Sequence, residues 1–162
     1  MVKFALRLKA ELEGVTDLKP VDEPESPFEY TFIIECTNCR EEHAKPVNIN
    51  RFESHDITGS RGEASFVFRC KMCKSEHSSS IVRTDDSYSP ESEGKFVDIL
   101  IIDARGMEFK KFIPEGLFQC KGADSKAKFT EVDLSEGEWY DYDDDAGAEV
   151  SITNVEWSLN RF

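Results

Sequence analysis

Hydrophobic residues at Phe4, Leu6, Leu8, Ala10 and Leu12 alternate with Ala5, Arg7, Lys9, Glu11 and Glu13. A period of two predicts a half-buried strand ending at Gly14, since on a helix these positions would spread around the whole circumference. Residues 19–27 carry three prolines and predict an exposed loop. Phe28–Glu35, rich in Phe, Tyr, Thr and Ile, predicts a second strand. A short strand over 46–52, a polar loop over 53–62 and a strand over 64–69 follow, with 77–83 as a hairpin partner. Val97–Ala104 and roughly 148–159 (Val150, Ile152, Val155, Trp157) predict two further strands, the last closing a second sheet. No stretch sustains the i, i+3, i+4 spacing of a long amphipathic helix. The expected fold is mainly β, with antiparallel sheets burying Phe, Ile, Val and Leu.

The pattern restarts after a polar segment, residues 84–94. Lys95-Phe96 and Gly106 follow Lys3-Phe4 and Gly14 at a constant offset of 92, and Val132-Asp-Leu134 follows Val47-Asn-Ile49 at 85. The second offset also sets Gly147-Ala-Glu-Val-Ser-Ile-Thr153 against Gly62-Glu-Ala-Ser-Phe-Val-Phe68, and Val155 and Ser158 against Cys70 and Cys73. This reads as a degenerate internal duplication giving two pseudo-symmetric lobes. The chain is then one compact domain over 1–162, with a cysteine-bearing lobe at 1–83, a linker at 84–94 and a related lobe at 95–162.

A chain of 162 residues can bury a sizeable core without help from a metal. Its net charge of −13 is unevenly spread: residues 36–83 hold eight Lys/Arg against six Asp/Glu, and the remainder is strongly acidic. A protein with no basic stripe lacks the means to neutralise phosphates, so no nucleic-acid partner is expected. The N-terminal segment alternates cations with apolar residues, unlike a signal peptide. The longest apolar run, Val97–Ile102, is broken by Asp98 and too short to span a bilayer, so no membrane association is expected.

Four of the five cysteines form two CxxC pairs, Cys36-Thr-Asn-Cys39 and Cys70-Lys-Met-Cys73. Two intervening residues let a tight turn aim both sulfurs at one point, and two such pairs make a tetrahedral Cys₄ site for one Zn²⁺. The competing reading is two disulfides or four unrelated thiols. Cysteines paired in this way fit a reducing cytoplasmic or nuclear compartment. A Cys₄ shell is full, so the site reads as structural.

Other candidates carry less chemistry. Cys120 reads as a small buried hydrophobe, with a reactive thiol as the alternative. His43 and His77 each lie four residues beyond a CxxC pair and read as surface histidines, with donation to a thiolate as the second reading. Arg61, in Gly59-Ser-Arg-Gly62, sits on a turn leading to the second pair. Trp139-Tyr-Asp-Tyr-Asp-Asp-Asp145 lacks the spacing of a calcium loop and reads as a solvated loop, with an aromatic-acidic partner patch as the alternative.

The start Lys3-Phe-Ala-Leu-Arg-Leu-Lys-Ala-Glu-Leu-Glu13, the two CxxC pairs, Gly59-Ser-Arg-Gly-Glu-Ala-Ser65 and Trp139-Tyr-Asp-Tyr-Asp together resemble the eukaryotic CXXC-motif-containing zinc-binding protein family. The resemblance implies a β-rich pseudo-symmetric fold, zinc on Cys36, Cys39, Cys70 and Cys73, and no established enzymatic activity. The function expected is non-catalytic zinc binding with action through a protein partner. The alternatives are a metal-handling protein that exchanges zinc or copper with a partner, and a thiol oxidoreductase using Cys120. Exposed strand edges are compatible with a homo-oligomer.

Overall fold

The computed structural model describes every residue except 1, 44, 58–61 and 162. The alternating N-terminal pattern forms β1 (Val2–Glu13), and Gly14, with φ +75°, turns the chain into β2 (Val15–Pro20). Then come β3 (Tyr30–Cys36), β4 (Val47–Ile49), the short pair β5 (His55–Asp56) and β6 (Glu63–Ala64), β7 (Phe66–Arg69) and β8 (Glu76–Arg83). The second half has β9 (Val97–Arg105), β10 (Met107–Ile113), β11 (Leu117–Gly122), β12 (Lys128–Asp133), β13 (Trp139–Asp143) and β14 (Ala148–Arg161). Among the described residues the only helical element is a 3₁₀ turn at Pro90–Ser92, and no helix is long and apolar enough to cross a membrane.

The main sheet has six strands in the order β13-β14-β1-β9-β8-β7; two three-stranded sheets run β10-β3-β4 and β12-β11-β2. Exchanging β1 with β9, β2 with β10, β3 with β11, β4 with β12, β7 with β13 and β8 with β14 maps the six-stranded sheet onto itself and each three-stranded sheet onto the other. The glycine turns agree: Gly14 and Gly106 both take positive φ, +75° and +82°. The architecture is therefore pseudo-symmetric, while duplication as its origin stays an expectation of the sequence.

The register near the C-terminal end differs from the one the sequence suggests. Strand exchange relates β7 to β13 and β8 to β14, so the segment bearing Cys70 and Cys73 corresponds to the turn between β13 and β14, rather than to Val155 and Ser158. The last strand also closes no second sheet of its own. It lies between β13 and β1, with Phe4 opposite Arg161 and Leu12 opposite Ile152. Each three-stranded sheet likewise takes strands from both halves, because β2 pairs with β11 and β10 with β3.

Aromatic rings tie the sheets together. Tyr30 and Phe28 (4.6 Å between centroids), Phe118 (5.2 Å from Phe28), Trp157 (5.6 Å on) and Phe112 (4.7 Å on) form a continuous series. It continues through Phe32 (5.4 Å), Phe109 (4.9 Å) and Phe4 (5.7 Å). The tilted and edge-on geometries place ring edges against ring faces, each pair adding about 0.5–1.5 kcal/mol beyond area burial. Leu6, Leu8, Leu18, Ile34, Ile99 and Ile102 fill the rest of this core.

Two segments expected in solvent are partly built in. In the proline-rich stretch, buried Asp22 accepts from the Phe28 amide (3.2 Å), the Tyr30 hydroxyl (2.7 Å) and Arg51 Nε (2.8 Å), and only 23–27 are exposed. In 84–94, Tyr88 is fully buried, exchanges backbone hydrogen bonds with Leu18 at 2.8 Å and donates its hydroxyl to the Ser92 and Lys95 carbonyls. The charge of these segments hides single side chains that the core needs.

Candidate metal centre

Two strands deliver the CxxC pairs, and the turns that follow share one geometry. β3 ends at Cys36, whose amide donates to the Glu41 carbonyl (2.9 Å), while the Arg40 amide donates to the Cys36 carbonyl (2.8 Å). β7 leads into Cys70, whose amide donates to the Ser75 carbonyl (2.9 Å), while the Lys74 amide donates to the Cys70 carbonyl (2.9 Å). The residue after each second cysteine is left-handed, Arg40 at φ 63° and Lys74 at φ 65°. That conformation costs a side-chain-bearing residue about 1–2 kcal/mol, and here it bends each turn back so that both sulfurs face one point.

All four sulfurs lie within 4.8 Å of one another, with Cys36 Sγ 3.6 Å from Cys73 Sγ and Cys39 Sγ 3.7 Å from Cys70 Sγ. These separations exclude disulfides, which need about 2.05 Å, and all four are free thiols. A tetrahedron with Zn–S of about 2.3 Å has an edge of about 3.8 Å. The donor set therefore fits one zinc ion at its centre. Cys36 and Cys70 are buried, and Cys39 and Cys73 are half-buried.

Polar neighbours divide the thiols electrostatically. Ser75, through its hydroxyl and amide, and Asn38 Nδ2 at 3.5 Å lower the Cys73 thiol to about 5. The Glu41 amide favours the Cys39 thiolate, but burial and the three neighbouring sulfurs outweigh it and push Cys39 up to about 12. Asn38 also donates to Ser75 Oγ at 2.7 Å, which joins the two turns directly. The hydrogen-bond donors Ser75 and Asn38 thus favour the Cys73 thiolate.

The surface reading of His77 is overturned. It is only 2% exposed, and its Nε2 lies 3.0 Å from Cys36 Sγ, so strand pairing in β7–β8 folds it under the cluster. Burial also lowers its pKa. His43 is half-buried, its ring edge-on to Phe68 at 4.5 Å, whereas His55 is exposed and pairs with Glu53. Arg61 lies outside the described residues. Asn38 and Ser75 were not singled out in the sequence, because their link across the two turns exists only in the fold.

Cys120 sits in the β12-β11-β2 sheet, 3% exposed, and burial pushes its thiol up to about 12. The Trp139–Asp145 segment is a strand with a tight turn rather than a solvated loop. Buried Asp143 accepts from the Ser125 hydroxyl (2.5 Å) and the Asp145 and Ala146 amides (3.0 Å each), and the Ser125 bond holds its carboxyl below the usual range. Tyr140 and Tyr142 remain exposed.

A profile described as "CXXC motif containing zinc binding protein, eukaryotic" matches residues 5–160. A UPF0587 protein of Schizosaccharomyces pombe is 44% identical over 161 residues, covering 99% of both chains. The human protein named CXXC motif containing zinc binding protein is 37% identical over 156 residues, covering 96% of each. A solved structure, that of C1orf123, superposes with a TM-score of 0.90 at 35% identity, covering 99% of both chains. The family is named for zinc binding and not for a reaction, and four clustered thiols able to hold one ion sit where that name requires. This chain belongs to the eukaryotic CXXC motif containing zinc binding protein family.

Proposed function

We propose that the protein is a non-catalytic zinc protein whose single ion, held by Cys36, Cys39, Cys70 and Cys73, is structural, and that it acts through contacts with a protein partner. The observation that carries this reading is the mutual approach of all four sulfurs, which fills the tetrahedral shell and leaves no vertex for water or substrate. Five free thiols support a reducing cytoplasmic or nuclear setting. The decisive experiment combines metal analysis of chelator-free protein with a pull-down comparing wild type and Cys36→Ser/Cys39→Ser. One zinc per chain, and partners lost in the variant, support the reading; a chain without zinc overturns it.

One observation favours metal exchange as a second reading. Cys39 and Cys73 are half-buried, and Met72, between the cysteines of the second pair, is 69% exposed, so a soft acceptor could approach the sulfurs from solvent. Zinc leaving to a competing chelator within seconds supports exchange; retention over hours supports structure. For an oxidoreductase the sole thiol outside the cluster is Cys120, whose burial favours the un-ionised form.

A further inference from the structure

We propose that His77 is a positioning residue of the metal centre, donating its Nε2–H to the Cys36 thiolate and holding that sulfur against release; this rests on the structural-zinc reading above. Nε2 is 3.0 Å from Cys36 Sγ, and the ring is 2% exposed. A zinc-bound Cys36 carries no proton, so a hydrogen bond in this direction is the one the pair can make. With the proton on Nδ1 alone, the Nε2 lone pair would face a negative sulfur at 3.0 Å, which is repulsive.

The ring is also confined. A Cβ at Gly106 would stand 2.2 Å from Nδ1, so the β9–β10 turn packs closely against the imidazole. Phe68 lies 5.8 Å from the imidazole, centroid to centroid. The same turn accepts the Thr37 amide on the Gly106 carbonyl at 3.0 Å, which fixes the first CxxC turn relative to the histidine. Four thiolates around one dication leave a formal excess of negative charge, which a donor aimed at the buried sulfur offsets.

The test uses the full zinc-loaded chain. Nitrogen-15 histidine spectra of wild type should show His77 protonated at Nε2, and cadmium-113 substitution should give the shift of a tetrathiolate. His77→Leu should still bind one zinc but lose it to a chelator about 10–100-fold faster. His77→Gln, whose amide can reach the same sulfur, should recover part of the difference. An Nδ1-protonated ring, a cadmium shift showing a nitrogen ligand, or wild-type release from His77→Leu overturns the proposal. If His77→Leu fails to fold, the wild-type spectra and the His77→Gln release rate decide. Wild type without zinc would instead overturn the structural-zinc reading itself.

Discussion

The Thr37 amide donates to the Gly106 carbonyl at 3.0 Å, joining the first CxxC turn to a turn nearly seventy residues downstream. Gly106 has φ +82°, and the space a side chain would need is taken by His77. Gly106→Ala should therefore lower stability by more than about 1 kcal/mol. It should also speed zinc release, because the displaced ring carries Cys36 with it. Denaturant midpoints at constant m-value, together with chelator kinetics, check both.

Lys74 is exposed, left-handed and held mainly by its backbone. Relief of the left-handed strain outweighs the entropy that glycine brings to the unfolded chain. Lys74→Gly should raise stability by up to about 1 kcal/mol with zinc retained, whereas Lys74→Val should lower it, as thermal unfolding of both variants would show.

Stripping the metal, or Cys70→Ser, should loosen the centre without melting the body. The ring series and the aliphatic core draw mostly on β1, β9, β10, β11 and β14, and β3 reaches the sulfurs only at its last residue, Cys36. Hydrogen exchange should rise at the Cys36, Arg40, Cys70 and Lys74 amides, which close the two turns, and stay slow in β1 and β9. Equal acceleration throughout would mean that the ion organises the whole domain.

Cys120 gives a pH dependence of known sign. Its folded pKa is raised to about 12 by burial, above the unfolded value of about 8.5. The benefit of the un-ionised thiol is full below the unfolded value and fades as pH climbs toward 12, at up to about 1.4 kcal/mol per pH unit. The stability gap between wild type and Cys120→Ala should narrow across that range. Iodoacetamide at pH 8 should leave Cys120 untouched in the native protein.

Phe118 links two members of the ring series, touching Phe28 and Trp157, and is fully buried. Phe118→Ala should cost about 3–5 kcal/mol, with loss of the near-ultraviolet dichroism of Trp157 before loss of β-structure.

Legibility in the sequence followed burial geometry. β1 shows its period of two because its inward positions 4, 6, 8 and 10 are all apolar and its outward ones mostly charged. β10 hides the same period, since a bulge between Phe109 and Lys111 shifts its alternation by one residue. β13 reads as loop because an edge strand tolerates aspartates, one of them buried to cap its turn. The cysteines were legible because ligand spacing is local. His77 was legible only as a second reading, because its contact with Cys36 spans 41 residues and depends on β8 pairing with both β7 and β9.

The position of β1 between β9 and β14 has a consequence for biosynthesis. Phe4 meets Ile102 on one side and Arg161 on the other, so this apolar ribbon gains neither neighbour until most of the polypeptide has left the ribosome. Pairings this distant in sequence close slowly. A ribosome stalled before β9 (Val97–Arg105) has emerged would present the N-terminal strand as a sticky surface without either neighbour.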